Sequence, residues 1–272
     1  MRGEAAVAWV EGPDAASFLH GLLTQDVQAI AVGEGAQALL LDAKGRIRSG
    51  LQVHRQGETE LTLVMDAALG EVTMADLEGF LFSEELDLLG PESSATLTVA
   101  GVEPAVAGEA AGLVLPGAVP GTLLLLVDDA EAALVALGLA EAPAAALLAR
   151  RIEAGVPTVG VDTGPATLVQ EAGLEDVAVS FSKGCYLGQE TVARVAHRGG
   201  VRRRLRGLAL GAPAGPGAEV FAGEAAAGTL TSVAMSPRHG PIALAVLRHE
   251  AEPESAVMVE GTAATVVELP FA

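Results

Sequence analysis

Residues 180–200 read SFSKGCYLGQETVARVAHRGG. An extended run passes through a glycine-spaced loop into a predicted helix that begins near Gln189 and ends at Gly199. Cys185 would lie just before that helix, where terminal amides and a nearby cation favour the thiolate over the ordinary thiol with its pKa of ~8.5. Lys183 is placed to supply the cation. The stretch predicts a reactive or ligand-touching thiol, against the commoner alternative of a small buried apolar residue.

Other polar residues of the same stretch are candidates for ligand binding. Tyr186 is the only tyrosine of the chain and follows the cysteine directly. Glu190, Arg194 and Arg198 are spaced to share one face of the predicted helix. Gln189 and Glu190 are equally compatible with ligand contacts and with ordinary helix-end interactions, so both alternatives stay open.

The first hundred residues alternate between strand and helix patterns. Residues 5–10 predict a strand, and Asp14 is placed to cap a helix of sequence AASFLHGLL. Residues 36–55 form two extended runs around an AKG turn, which indicates a hairpin. A strand over 60–65, a helix within 69–82 and a strand from residue 94 complete a predicted α+β unit over 36–100.

The second half of the chain ends in a different pattern. The stretch 101–121 predicts connecting strands, and DDAEAALVALGL and PAAALLARRIEAG predict helices. Beyond Gly200, short apolar runs are separated by turns every eight to twelve residues, which is typical of a small barrel or sandwich. The chain is therefore predicted to be α+β with a β-rich C-terminal part.

Composition narrows the class of protein. The 272 residues carry 16 basic and 35 acidic side chains, for a formal charge of −19. One cysteine permits neither an internal disulfide nor a Cys-Cys zinc site, and the five histidines lack metal-ligand spacing, so we expect a cytoplasmic protein without a metal centre. The start carries no signal-peptide pattern, and glycines and prolines interrupt the longest uncharged run, so no membrane segment is expected.

Positive charge is concentrated in two short segments. Most of the basic residues lie within 44–55 and 183–206, whereas the rest of the chain is strongly acidic. Such a distribution can steer a small anion toward the basic patch while repelling a polyanion elsewhere. General nucleic-acid binding is therefore not expected.

Several motifs together resemble a known family. KGCYLGQE, followed by ARVAHRGG and RRRLRGL, resembles the signature of YgfZ-type folate-binding proteins, which are related to the glycine-cleavage T-protein aminomethyltransferases. GPDAASFLHGLLTQDV, LLDAKGRI, RIEAGVPTVGVD and GTLTSVAMSPRHGPIALAVLR resemble further family segments in the same order. The resemblance covers nearly the whole chain.

The resemblance implies a fold and a ligand. The fold would be a three-domain aminomethyltransferase-like ring, with domain 1 formed by 1–35 and 101–200, an α+β domain 2 over 36–100, and a C-terminal β-barrel over 201–272. Tetrahydrofolate, including its polyglutamylated form, would bind in the central channel. Glu153 matches the glutamate that anchors the pterin, a role suited to a carboxylate because it accepts two hydrogen bonds. The cofactor-binding set would further comprise Tyr186, Gln189, Glu190, Arg194 and Arg198, and the catalytic pair Cys185 and Lys183.

One departure bears on the reaction. Where T-proteins carry acidic residues just beyond the hairpin, this chain has Arg48, Ser49 and Gly50. Without that carboxylate, aminomethyl transfer is doubtful and enzymatic activity is undecided.

YgfZ-type proteins are instead associated with assembly or repair of iron–sulfur enzymes, so the expected partners are iron–sulfur client proteins or assembly factors. A cluster normally needs about four thiolates, so Cys185 alone would not store one. The alternatives are a folate-dependent one-carbon transferase, and a non-enzymatic module whose Arg202–Arg206 strip docks an anionic protein or RNA.

Overall fold

A computed structural model describes residues 1–272, apart from the side chain of Arg198. The strands are β1 (Arg2–Glu11), β2 (Gly35–Leu41), β3 (Ile47–Arg55), β4 (Glu60–Asp66), β5 (Asp87–Ala100), β6 (Leu113–Pro116), β7 (Thr122–Val127), β8 (Arg203–Leu210), β9 (Glu219–Ala222), β10 (Ala225–Ser236), β11 (Gly240–Arg248), β12 (Ala256–Val259) and β13 (Thr262–Val267). The helices are α1 (Ala15–Leu22), α2 (Gly70–Glu78), α3 (Pro104–Gly108), α4 (Ala130–Ala136), α5 (Ala144–Glu153), α6 (Val169–Ala172), α7 (Glu175–Ala178) and α8 (Gln189–Arg198).

The chain divides into two compact units. The first comprises Met1–Glu141 and Glu175–Ala193, and the second comprises Ala142–Leu174 and Arg194–Ala272. The boundary between them falls inside α8. The chain therefore passes from the first unit into the second after Glu141 and returns to the first for residues 175–193, which include the cysteine-containing loop. It then enters the second unit again at Arg194.

A seven-stranded antiparallel sheet organises the first unit, in the order β2-β3-β4-β1-β5-β7-β6. β1 is central because its sequence is apolar on both faces. Ala8 and Val10 pack into one core, and Ala5 and Val7 pack into another on the opposite side. Alternate residues of a strand point to opposite faces, so a continuous apolar run suits a strand covered on both sides.

β1 connects two segments of the chain that the family resemblance assigns to different domains. β1 pairs with both β4 and β5. Residues 1–35 and 36–100 therefore share one sheet, and the division of the chain into three domains stays a prediction. Local sequence patterns did not predict the pairing of β1 with β4 and β5, because strand pairing over this distance is set by packing and not by local sequence.

The predicted hairpin over 36–55 is present as β2 and β3, with Leu40 opposite Ser49 and a register shift before the turn. The predicted cap of α1 is wrong in detail. Asp14 has a helical backbone conformation, and its carboxylate accepts from the Glu85 amide at 2.8 Å instead of from first-turn amides. An N-cap that bonds its own helix normally has an extended backbone.

A closed barrel dominates the second unit, in the order β10-β11-β8-β13-β12-β9. Its interior is filled by small and branched side chains such as Leu208, Leu230 and Val266. On its outer surface α5 buries Ile152 completely against Leu205 and Leu244, a contact that contributes about 1.5–3 kcal/mol by area. The α+β class and the C-terminal barrel are thus confirmed.

Candidate functional site

The cysteine-containing loop folds over the C-terminal end of α1. The last carbonyls of a helix have no donors within the helix, and here the loop supplies them. The Leu187 amide donates to Gly21 O at 3.2 Å, and the Ser180 amide donates to Thr24 O at 3.0 Å. The buried Thr24 hydroxyl donates in turn to Ala178 O at 2.5 Å. The loop conformation is therefore set by α1, far away in the sequence.

Lys183 is the centre of this attachment. Its side chain is buried, and its ammonium donates to His20 O, to Leu23 O at 2.7 Å and to Gln25 O at 3.1 Å. An ammonium has three N–H donors, and all three are engaged. Its Nζ also lies 4.9 Å from the centre of the Tyr186 ring, a cation–π distance. Burial lowers the pKa of Lys183 to about 8.

The thiol between these anchors faces solvent. Cys185 is exposed, whereas Lys183 and Tyr186 are buried on either side of it. It precedes the first residue of α8 by four positions. The alternative of a buried packing cysteine therefore does not hold. Electrostatic support of the thiol by Lys183 stays a prediction, since the ammonium donates its three N–H groups to carbonyls of the α1 end.

Two glycines join the motif loop to the β2–β3 hairpin. A Cβ on Gly188 would lie 2.6 Å from Asp42 O, and a Cβ on Gly45 would lie 2.7 Å from Thr191 Cβ. Both glycines have positive φ, +79° and +76°, which residues with a Cβ adopt at a cost. The hairpin and the motif loop thus approach backbone to backbone, and the glycines of LLDAKGRI and KGCYLGQE serve this one contact.

The remaining predicted residues of the motif have different surroundings. Gln189 Oε1 accepts from the Tyr186 amide at 3.3 Å, which closes the turn before α8. Glu190 and Arg194 are exposed on α8, and the side chain of Arg198, also predicted to bind the cofactor, lies outside the described side chains. Gln189 thus has a structural contact of its own, while ligand contacts by Glu190 and Arg194 stay predictions.

An ion pair is formed by Arg48, one of the residues that stand where T-proteins carry acidic side chains. Arg48 on β3 binds Asp76 on α2 through Nε at 2.9 Å and Nη2 at 3.0 Å. Beside it the buried hydroxyls of Ser49 and Thr73 lie 2.8 Å apart. Both oxygens of the Asp76 carboxylate are thus engaged by the Arg48 guanidinium.

Glu153 lies in the second unit, at the end of α5. Its Oε1 accepts from Ser236 Oγ at 2.5 Å and its Oε2 accepts from Arg238 Nη2 at 2.6 Å. The Ser236 hydrogen bond, followed by the hydrogen bond and charge of Arg238, lowers the pKa of Glu153. Each carboxylate oxygen keeps a second lone pair. The group can therefore still accept from a ligand that offers two N–H donors.

Sequence reasoning missed a buried polar network next to Glu153. The fully buried Asp162 accepts from Arg151 Nη1 at 2.6 Å, from Ser232 Oγ at 2.7 Å and from the Thr158 amide at 2.9 Å. Arg151 Nη2 also donates to Ser232 Oγ at 2.6 Å. The network fixes the end of α5, and the only available signal was that Arg151 and Asp162 stand at the two ends of RIEAGVPTVGVD.

Among the described residues, no group of three or more His, Cys, Asp or Glu side chains is arranged to hold a metal ion. Nor does any helix in the described part of the chain have the length and apolar character needed to span a bilayer.

Comparison with known proteins gives consistent matches. Residues 203–272 match the glycine cleavage T-protein C-terminal barrel domain. The tRNA-modifying protein YgfZ of Edwardsiella ictaluri is 30% identical over 72% of this chain and 66% of its own length. The protein of the same name from Shigella dysenteriae is 27% identical over 96% of this chain and 88% of its own length.

A solved structure extends the similarity to the entire fold. The glycine cleavage system aminomethyltransferase T from Bartonella henselae superposes with a TM-score of 0.84, covering 100% of this chain and 86% of that protein, at 23% identity. The predicted aminomethyltransferase-like fold is thereby confirmed. At this identity the likeness concerns the fold alone.

Proposed function

This chain belongs to the YgfZ family, and from that premise we propose that it binds tetrahydrofolate and supports iron–sulfur enzymes in the cytoplasm through Cys185. Its relatives are named as tRNA-modifying proteins. The clients we propose are accordingly iron–sulfur enzymes that modify tRNA. The role is that of an accessory protein and not of a store for clusters, since one thiolate falls short of the usual four ligands.

The observation that carries the proposal is the exposed thiol held between buried anchors. Lys183 and Tyr186 attach the loop to the body of the first unit, and Cys185 between them faces solvent. A thiol that only filled space would be buried. An exposed thiol on an anchored loop is accessible to a partner protein and needs a reducing compartment to stay free.

Folate binding is supported by the acceptor capacity of Glu153. Its carboxylate is largely buried, with 11% of the side chain exposed, and it is oriented by Ser236 and Arg238. A pterin presents adjacent amino and ring N–H donors, which match the lone pairs that remain on a carboxylate. The residues present therefore fit the pterin end of tetrahydrofolate, and folate would supply a one-carbon carrier there.

A second candidate function, folate-dependent one-carbon transfer, is favoured by the match of residues 203–272 to the glycine cleavage T-protein C-terminal barrel domain. The sequence just beyond the hairpin argues against it, because Arg48, Ser49 and Gly50 stand where T-proteins carry acidic residues, and the nearby Asp76 carboxylate is paired with Arg48. Incubation of the protein with tetrahydrofolate and an aminomethyl or methylamine donor tests it. Sustained turnover would establish the transferase and displace the accessory role.

The accessory role is tested with Cys185→Ala in a bacterium that lacks its own YgfZ protein. The variant should fail to restore the activity of an iron–sulfur tRNA-modifying enzyme, because the thiol is gone. Ser182→Ala is the matched control, since Ser182 is an exposed neighbour in the same loop. Full activity of Cys185→Ala would refute the thiol role.

Calorimetric titration with tetrahydrofolate tests the ligand independently. Cys185→Ala should bind within about twofold of the unaltered protein. Glu153→Gln should bind about 10–100-fold more weakly, because a hydrogen bond to a charged group contributes about 1.5–3 kcal/mol. Equal affinity of Glu153→Gln and the unaltered protein would remove Glu153 as the pterin anchor.

A further inference from the structure

A charged feature that the proposed function does not use lies at one end of the barrel. β8 directs Arg204, Arg206, Leu208 and Leu210 to the same face, because alternate residues of a strand point the same way. Leu208 and Leu210 are buried in the barrel core. Arg204 and Arg206 therefore lie on the same face of β8 as these buried leucines, and they are located at the mouth of the barrel.

An open groove is present at this mouth. Its volume is about 380 Å³, and its lining includes Arg204, Arg206, His249 and Glu252. Small-molecule sites commonly measure about 300–1,000 Å³ and are found in the mouths of barrels. The groove is thus large enough for a charged group together with part of the molecule that carries it.

Arg206 has an unused hydrogen-bond donor. Only 13% of its side chain is exposed, and its Nη1 donates to Glu268 Oε2 at 2.7 Å. Its Nε is buried and has no hydrogen-bond partner among the residues that the structure describes. A buried N–H of a charged group is costly without an acceptor. The guanidinium is therefore held in position by Glu268 beside the groove that it lines.

We propose that this groove binds an oxyanion group, a phosphate or a carboxylate of a small ligand, on Arg204 and Arg206. Guanidinium groups bind such planar or tetrahedral oxyanions through paired N–H donors. Glu252 in the lining and the overall charge of −19 oppose a long polyanion but still permit a single anionic group. This inference is independent of the proposed function, and no folate enters its test.

The test is a titration with inorganic phosphate at low ionic strength, followed by calorimetry or amide chemical shifts. Arg206→Lys keeps the charge but loses the paired N–H donors of the guanidinium, and it should weaken phosphate binding about tenfold. Arg203→Lys is the matched control, because Arg203 is exposed on the opposite face of β8; its affinity should change less than about twofold.

A second variant does not touch the arginines. Glu252→Gln removes a carboxylate from the lining and should tighten phosphate binding about twofold or more, since like charge is removed. Absence of saturable binding, or equal weakening by Arg203→Lys and Arg206→Lys, would overturn the site.

Competition identifies the source of the oxyanion. Displacement of phosphate by tri-γ-glutamate supports the site with a carboxylate ligand, whereas displacement by a nucleoside monophosphate supports it with a phosphate ligand. A single-stranded RNA that binds far more tightly than the nucleotide, with steep salt dependence unaffected by Arg206→Lys, would overturn the assignment to a small ligand.

Discussion

Replacing Lys183 by methionine tests whether the motif loop is held by its attachment to α1. Methionine keeps much of the apolar length of the side chain but cannot donate to His20 O, Leu23 O or Gln25 O. The contact with Leu23 O is buried and the other two are partly buried. Water can therefore replace part of the loss at two of the three acceptors, whereas Leu23 O is left without a donor.

The magnitude follows from these contacts. A buried acceptor left without a donor costs about 1–3 kcal/mol, and the lost cation–π contact with Tyr186 adds about 0.5–2 kcal/mol. Removal of a desolvated charge offsets part of this. We expect Lys183→Met to lower the free energy of unfolding by about 2–4 kcal/mol.

Urea denaturation at an unchanged m-value measures that loss. Lys44→Met is the matched control, because Lys44 is exposed in the hairpin turn and its replacement should cost less than about 0.5 kcal/mol. Hydrogen exchange of the Ser180 and Leu187 amides, which bond to the α1 end, should accelerate in Lys183→Met. Equal stability of the two variants, with unchanged exchange, would refute the role of Lys183 as an anchor.

Alkylation of Cys185 separates anchoring from electrostatic support. If the Lys183 charge favours the thiolate, Lys183→Met shifts the midpoint of the alkylation rate to higher pH. If Lys183 acts only as an anchor, the midpoint stays in place while the loop amides exchange faster. An unchanged midpoint would remove Lys183 from the proposed chemistry and leave its structural role intact.

Three other expectations concern pH and backbone geometry. Burial lowers the pKa of Lys183 from 10.5 to about 8, so between those pH values the unfolded chain binds more protons than the folded protein. The free energy of unfolding should therefore rise with pH in that range relative to Lys183→Met. Parallel plots of unfolding free energy against pH for the two proteins would contradict this. Ser236 and Arg238 lower the pKa of Glu153 from 4.5. The stabilising contribution of the Glu153 carboxylate is therefore present above that value and is lost as the pH falls through the folded-state pKa. The stability difference between the unaltered protein and Glu153→Gln should shrink on acidification, and a constant difference would disprove the linkage. Gly188→Ala places a Cβ 2.6 Å from Asp42 O and should cost about 2 kcal/mol or more in urea denaturation. Gly199→Ala is also at positive φ, but apart from its chain neighbours no described atom lies within 4 Å of the added Cβ, so it should cost about 1 kcal/mol. Equal costs would show that the close approach is unimportant.

Local patterns predicted most of the elements around the site. The hairpin of β2 and β3, helix α8 and the β-rich C-terminal part follow from apolar periodicity and turn residues, which act between near neighbours in the chain. The pattern left a barrel and a sandwich open, and the family resemblance pointed to the barrel. The predicted cap of α1 failed because Asp14 bonds to the amide of Glu85, 71 residues away.

The amino-acid sequence by itself determined the kinds of elements, their order and the motif that carries Cys185, because these depend on side-chain periodicity and on glycines at turns. Only the tertiary structure decided what the charged groups bind. Lys183 reaches carbonyls about 160 residues away, and Glu153 meets Arg238 across 85 residues. The physical reason is that a buried charge must find donors or acceptors wherever packing brings them, and packing joins segments that no local pattern relates.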